Sequence, residues 1–513
     1  MAKRAHNPRY FVTSRSMQTT SIARLARSQL RRIPFSSRFA RNWSFLVASN
    51  LACQALGMLA TIRIARTLAP EGYGQYNLVL TVASLGTVVA WLGFRNVVIR
   101  ECARHPERSG NLFIISAIFR SVTVAIVGVG ILVYGLISAN TLPGAFPAIS
   151  VALVVSLSAW ELVENVAFGH EHMEYTAGIN LAGSVMWVLA AWAVPKEWLT
   201  PTSVSVAYAS LQGIEALAYI GIAGRMGYLR KRAHTDTLSL AQSLLKQSLP
   251  FYWLAVLTAA TNQLPILFLA QRSGQAEVGF YNVGMRLIYP MQMLLTTALT
   301  ALYPNLARTG NGRGGEEGFL TTVQTALSGL VLLGTSGALV ISLLRQELVS
   351  IVFGKAYLNT ADALAFQCWY SVLFAIFALI GTSLAACDRQ KLIAWLSTAY
   401  AALGLPVLWW GAGRGATGLS LAILISAVIN ISYHWIFFQR SLPKQLSTSH
   451  SIRLLLVLLT GMIVAWVVPQ SLAFIWRLAA SAGWIMIMLP VITREARLSL
   501  LSSTNRSPAF VRK

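Results

Sequence analysis

The chain has 513 residues, 55% of them hydrophobic and only 11% charged, with a mean hydropathy of +0.59. About a quarter of the residues of a soluble globular domain are charged, so the composition excludes one and calls for repeated membrane crossings. Lys and Arg total 41 against 17 Asp and Glu, a net charge of +24. In a soluble chain that excess would suggest nucleic acid. Here the basic residues sit between apolar runs, where they set membrane orientation, and nucleic acid is not an expected partner.

Residues 1–42 carry ten Lys or Arg and no Asp or Glu. They read as a basic cytoplasmic tail, with Met17 as an alternative start to Met1. Within the tail, SIARLARSQLRRIPF has the pattern of a basic amphipathic helix on anionic lipid and also the composition of an organelle transit peptide. Six apolar runs follow: Trp43–Ile62, Tyr76–Phe94, Leu112–Ile137, Ala145–Phe168, Tyr175–Val194 and Ser203–Gly224. A basic linker, 225–248, separates them from six more: Leu249–Ala270, Phe280–Tyr303, Leu320–Leu344, Ala361–Cys387, Leu392–Trp410 and Gly418–Phe438. Ile452–Val468 and Ala473–Ile492 complete fourteen. Runs of about 20 apolar residues span a bilayer as helices, because all backbone hydrogen bonds must be made within the segment.

With the N-terminus in the cytoplasm, 31 of the 41 Lys and Arg fall on the cytoplasmic side and eight on the outer side. The positive-inside rule therefore puts both termini in the cytoplasm. Arg120 and Arg286 lie within crossings. The four cysteines (Cys53, Cys102, Cys368 and Cys387) have no metal or disulfide spacing.

A repeat runs beneath the hydropathy. Glu71-Gly-Tyr-Gly74-Gln-Tyr76-Asn77 follows the first crossing, and Glu277-Val-Gly279-Phe-Tyr281-Asn282 follows the seventh, offset by 205 residues. A weaker echo pairs Leu142–Phe146 with Phe353–Tyr357. Six crossings per repeat gives two halves of the same orientation around an axis along the membrane normal. The expected organisation is all-α: the tail (1–42), an N-lobe of helices 1–6 (43–224), the linker (225–248), a C-lobe of helices 7–12 (249–438), and helices 13–14 with a basic cytoplasmic tail (439–513). The two pseudo-symmetric lobes should enclose a central cavity.

The stretch LATIRIARTLAPEGYGQYNLVLTVASLGTVVAWLGFRNVVIRECAR resembles the first helical hairpin of the polysaccharide (O-antigen type) flippases. These belong to the multidrug/oligosaccharidyl-lipid/polysaccharide exporter superfamily. GFYNVGMRLIYPMQMLLTTALTALYPNLAR, ELVSIVFGKAYLNTADAL and GATGLSLAILISAVI resemble later parts of the same family, so the likeness covers roughly residues 43–440. It implies a transporter in the bacterial cytoplasmic membrane, with neither catalysis nor a cofactor. Its substrate would be an undecaprenyl-diphosphate-linked oligosaccharide, flipped by alternating access for O-antigen, capsule or exopolysaccharide assembly. Partners would be that lipid-linked substrate, membrane lipids, and the polymerase and glycosyltransferases of the pathway. The alternatives are a multidrug or lipid II exporter of the same superfamily, and a membrane polymerase or polyprenol-dependent glycosyltransferase. The last would need a sizeable outer loop with catalytic groups, and the longest outer segment, about Arg345–Thr360, is short.

A sugar–diphosphate head needs a polar, cationic path through hydrocarbon. Arg286 and Arg120 are the first candidates, since a guanidinium stays charged and grips phosphate with paired donors. Arg120 has a competing role, because Glu161 and Glu164 share one face of the neighbouring helix at similar depth. Arg63 and Arg95, at the mouths of the first two crossings, are weaker candidates. Asn50, Gln54, Asn262 and Gln263 are polar positions suited either to sugar hydroxyls or to helix–helix hydrogen bonds. The cluster His170-Glu-His172-x-Glu174 lacks metal-site spacing, and Gly411-x-Gly-x-Gly415 reads as an interhelical turn.

Overall fold

The computed structural model describes residues 37–138, 144–228, 237–310, 315–442 and 446–504. The amphipathic segment of the tail, the linker residues Arg230–Arg232 and the first part of the 142–146 echo lie outside the described residues. Those described form fifteen α-helices and three short 3-10 turns, with no strand among them. The first half comprises α1 (Ser37–Ala90), α2 (Phe94–Arg104), α3 (Ser109–Ile137), α4 (Phe146–Gly169), α5 (Met173–Ala193) and α6 (Pro201–Arg225). The second comprises α7 (Thr237–Ser273), α8 (Gln275–Gly310), α9 (Gly315–Leu343), the short α10 (Arg345–Val352), α11 (Thr360–Ala386), α12 (Gln390–Ala412) and α13 (Gly415–Ser441). α14 (Thr448–Val467) and α15 (Phe474–Thr504) follow. The fourteen apolar runs fall on thirteen of these helices, the first two sharing α1. Ten helices are long and apolar enough to cross a membrane, or eleven with the bent pair α1–α2.

Three boundaries differ from the sequence reading. The loop expected between the first two crossings is helical, and α1 carries both crossings with one break, at Ala69 (φ 57°, ψ 176°). The ring of Pro70 disfavours helical backbone at the residue before it, yet proline fits the first turn of the next helix. The chain therefore bends at a single residue. At the other end of the second crossing, Gly93 adopts φ 69° and the basic run continues as α2, bent 52° away from α1. The apolar residues of α2, Phe94, Val97, Val98 and Cys102, are buried, so its cations lie on the opposite stripe. In the linker, residues from Thr237 onward already belong to α7.

α1 packs on α4, α5 and α8, while α8 packs on α11 and α9, and α14 and α15 both rest on α9. The repeat motif marks the tightest of these crossings. A Cβ on Gly74 would sit 1.8 Å from the Gln275 carbonyl oxygen, and one on Gly279 would sit 2.1 Å from that of Pro70. Gly74 and Gly279 are 205 residues apart, as are Pro70 and Gln275. Each glycine thus packs on the backbone that precedes the other. Two side-chain bonds repeat at the same offset: Asn77 Nδ2 donates to the Tyr73 carbonyl at 2.7 Å and Asn282 Nδ2 to that of Val278 at 2.9 Å. Gln75 Nε2 donates to Gln275 Oε1 at 2.7 Å across the joint. At the end that the charge distribution assigns to the cytoplasm, Gly93 abuts Ser248 and Tyr252 of α7, and Tyr252 donates to the Val89 carbonyl at 3.0 Å. Arg100 there donates to Gln247.

Gly279→Ala or Gly74→Ala must push the two backbones apart. Either should lower stability by roughly 1–3 kcal/mol, read as a fall in melting temperature of the purified protein in detergent. Gly130→Ala, where the added methyl meets open space, should not.

Candidate functional site

α7 supplies the centre of the polar path. Its Thr258 and Thr261 hydroxyls donate back to the carbonyls of Leu254 and Leu257 at 2.8 and 3.0 Å. That satisfies them within the helix and turns their remaining lone pairs outward. Asn262 and Gln263 follow, and two cavities meet at this pair. One, of about 440 Å³, lies toward the end that the charge distribution assigns to the cytoplasm and is lined by Ser84, Arg95, Asn96, Thr258, Asn262 and Gln263 among apolar neighbours. The other, of about 320 Å³, is lined by Asn262, Gln263, Asn282, Arg286 and the tyrosines Tyr281, Tyr289, Tyr370 and Tyr400. A pocket of about 100 Å³ touching Asn262, Tyr370 and Tyr400 adjoins them, with Asn430 in its wall. Gln263 Nε2 also donates to Ser84 Oγ at 3.2 Å, tying α7 to α1 where the cavities join.

The four candidate arginines have different fates. Arg286 lines the outer cavity, and its electrostatic neighbours are Tyr73, Tyr76 and Tyr208. No ion pair to it occurs among the described residues. Arg95 lines the cytoplasmic cavity, binds Glu164 Oε2 at 2.6 Å and stacks on Phe168 at 5.3 Å. Arg120 is 2% exposed and forms a 2.5 Å ion pair with Glu161. Of its two readings, this geometry takes the pair. Arg63 stacks on Trp192 at 5.6 Å and lines none of these cavities. Asn50 and Gln54 are exposed on α1, likewise outside the three cavities. The structure therefore brings together Arg95, Asn262, Gln263 and Arg286, and leaves Arg120, Arg63, Asn50 and Gln54 elsewhere.

Other motifs have local roles. His170 Nε2 meets Ser109 Oγ at 2.8 Å and His172 Nδ1 meets the Tyr228 hydroxyl at 2.7 Å; the His170 ring stacks on Tyr228 at 4.8 Å. These contacts tie the α4–α5 loop to the end of α6. The glycine string 411–415 turns α12 into α13, with Gly415 at φ 75°. Glu277, the acid of the second repeat, accepts from the Ala416 N–H at 2.6 Å and so caps α13, where an anion meets the positive end of the helix dipole. Sequence reasoning missed Ser84, Asn96, Tyr370, Tyr400 and the role of Glu164, because their convergence depends on which helices are neighbours. Tyr281 could have been found, since it belongs to the repeat motif.

A family model described as "Polysaccharide biosynthesis protein" matches residues 39–309. The chain belongs to that family. It is 19% identical over 402 residues to the "Probable low-salt glycan biosynthesis flippase Agl15" of Haloferax volcanii, covering 77% of this chain and 83% of that relative. Its fold is similar to that of the lipid II flippase MurJ in an inward closed conformation. The TM-score is 0.64 at 12% identity, over 88% of this chain and 99% of MurJ. It is also similar to an inward-facing multidrug resistance MATE family transporter of the MOP superfamily, with a TM-score of 0.55 at 13% identity over 75% and 95% of the two chains. These relatives are flippases and transporters, not enzymes.

Removing one partner of a buried ion pair leaves the other charge uncompensated, at a cost of about 3–5 kcal/mol. Arg120→Met should therefore sharply lower folded yield, and Arg120→Met with Glu161→Leu should recover it. Recovery of both yield and transport by the double variant would show Arg120 to be structural. Recovered yield with no transport would return it to the substrate path.

Proposed function

We propose that the protein flips an undecaprenyl-diphosphate-linked oligosaccharide from the cytoplasmic to the outer leaflet of a bacterial cytoplasmic membrane, for O-antigen, capsule or exopolysaccharide assembly. The observation that carries this reading is Arg286, a cation facing a polar cavity within the membrane with no carboxylate paired to it among the described residues. An intramembrane charge is costly and needs a partner. A diphosphate passing through the cavity supplies one, and the guanidinium can hold it through paired hydrogen bonds. The surrounding tyrosines and the amides of Asn262 and Gln263 suit sugar hydroxyls, with donors, acceptors and apolar ring faces in one wall.

Transport proceeds by rocking of an N-lobe (43–224) against a C-lobe (249–438), with the outer glycine joint and the contacts of Gly93, Arg100 and Tyr252 closing alternate ends. Both termini lie in the cytoplasm. The family membership and the glycan flippase relative from Haloferax volcanii support a glycan cargo over a drug.

Loss of a charge-assisted contact worth about 1.5–3 kcal/mol should reduce flux roughly ten- to a hundredfold. Arg286→Ala, expressed at normal level in a deletion strain, should fail to restore surface polymer, and lipid-linked precursor should accumulate at the cytoplasmic face. Full restoration by Arg286→Ala would refute the assignment. Loss of the protein without precursor accumulation would point to another cargo.

A further inference from the structure

The cytoplasmic cavity holds its one described cation, Arg95, in an unusual state. α4 presents Glu161, Glu164 and Phe168 at helical spacing, so that one face of it meets α3 and α2 in turn. Glu161 holds Arg120, deep in the protein. Glu164 holds Arg95 at the cavity wall, and Phe168 stacks beneath the same guanidinium. The two members of the second pair differ in access. The Arg95 side chain is 32% exposed and the Glu164 side chain only 8%. An anion entering the cavity can reach the arginine but not displace the carboxylate bodily, so it must compete with it in place.

Resting on the flippase reading above, we propose that Glu164 is a specificity-determining residue that screens anions at the cytoplasmic mouth. The membrane around this opening is full of lipids whose phosphodiester heads carry one negative charge. An unopposed Arg95 facing that pool would bind them. With Glu164 in place, a newcomer must offer Arg95 more than a desolvated carboxylate already in contact does. Taking the guanidinium also leaves the Glu164 charge without its partner, a cost that applies to every anion. A singly charged head does not recover that cost. A diphosphate does, through its higher charge and its capacity for bidentate hydrogen bonds. Because the cost is the same for both, it screens by threshold: the weakly held singly charged head falls below occupancy at the mouth, and the more strongly held diphosphate does not.

The test measures binding to the purified full-length protein in detergent with two probes: farnesyl diphosphate, and short-chain phosphatidylglycerol as the singly charged competitor. Wild type should favour the diphosphate. Glu164→Gln, which keeps the shape and removes the charge, should tighten both probes about tenfold, equivalent to 1.4 kcal/mol, and so bring phosphatidylglycerol from undetectable to measurable binding. Adding Arg95→Ala to Glu164→Gln should abolish the gained phosphatidylglycerol binding, which a merely structural role for Glu164 would not predict. Glu164→Asp, with the carboxylate drawn back, should fall between and serves if the Gln variant does not fold. Unchanged or weaker binding of phosphatidylglycerol in both Glu164→Gln and Glu164→Asp overturns the proposal. The flippase reading is judged separately by the Arg286→Ala export assay. Lost export in Arg286→Ala with unchanged phosphatidylglycerol binding in Glu164→Gln sinks only the screen, and gained phosphatidylglycerol binding with normal Arg286→Ala export sinks only the transport reading.

Discussion

The mutual packing of Gly74 and Gly279 fixes where the two halves of the chain can meet. Each lies against the carbonyl that opens the other's helix, at distances no side chain could occupy. Everything on the outer side follows from that approach. The Ala69–Pro70 bend brings α1 over the start of α8, and Gln75 then reaches Gln275. Tyr357 donates to the Ala65 carbonyl at 2.8 Å, and Arg66 donates to the carbonyls of Val352 and Ile351. Glu277, one turn into α8, is thereby placed to cap α13. A two-residue difference in the spacing of either motif would rotate its glycine off this contact, since each residue turns a helix by about 100°.

Charge inside the membrane is handled in three graded ways. Arg120 is fully spent on Glu161 and serves packing. Arg95 is half-committed, bound to Glu164 while touching a cavity. Arg286 faces its cavity among tyrosine rings, without a described carboxylate partner. The gradient runs from a buried pair, through one at a cavity wall, to a cation among tyrosines without a described carboxylate. A similar economy appears at the start of α15, where Arg477 binds Glu347, Gln470 and the Leu343 carbonyl and so anchors α15 to the C-terminal end of α9. Glu347, outside the membrane, is pushed upward by its partial burial, but its hydrogen bond and ion pair with Arg477 outweigh that and hold it below the usual carboxylate range.

Much of this was legible in the sequence because lipid imposes few alternatives. Apolar runs must be helices, and a motif repeated at one place in the helix order must be packed similarly twice. Gly-x-Tyr-Asn was visible as a string, and its Asn-to-carbonyl bonds recur as the repeat requires. The site was readable only where a residue type is costly in itself. Arg286 and Arg95 stood out for that reason, as did Asn262 and Gln263. Tyr370 and Tyr400 did not, since a tyrosine in a membrane helix is unremarkable until its neighbours are known. The choice between Arg120's two partners also depended on packing. Only the approach of α3 to α4 brings Glu161 within reach. The bend at Ala69 was missed because a Pro-Gly pair reads as a loop, whereas one left-handed residue suffices.

The joints at the two membrane faces are made of different material. At the outer one the Gly74–Gly279 crossing is backbone against backbone, closed by glycine and uncharged amides, with Arg66 on backbone carbonyls nearby. The inner one adds Arg100 to Gln247 and lies beside the Arg95–Glu164 pair. An electric field or a change in ionic strength exerts little force on amides and a direct one on guanidinium groups. The glycine crossing itself therefore gives voltage and salt little to act on, whereas the Gly93 joint sits beside partly exposed guanidinium groups that both can reach.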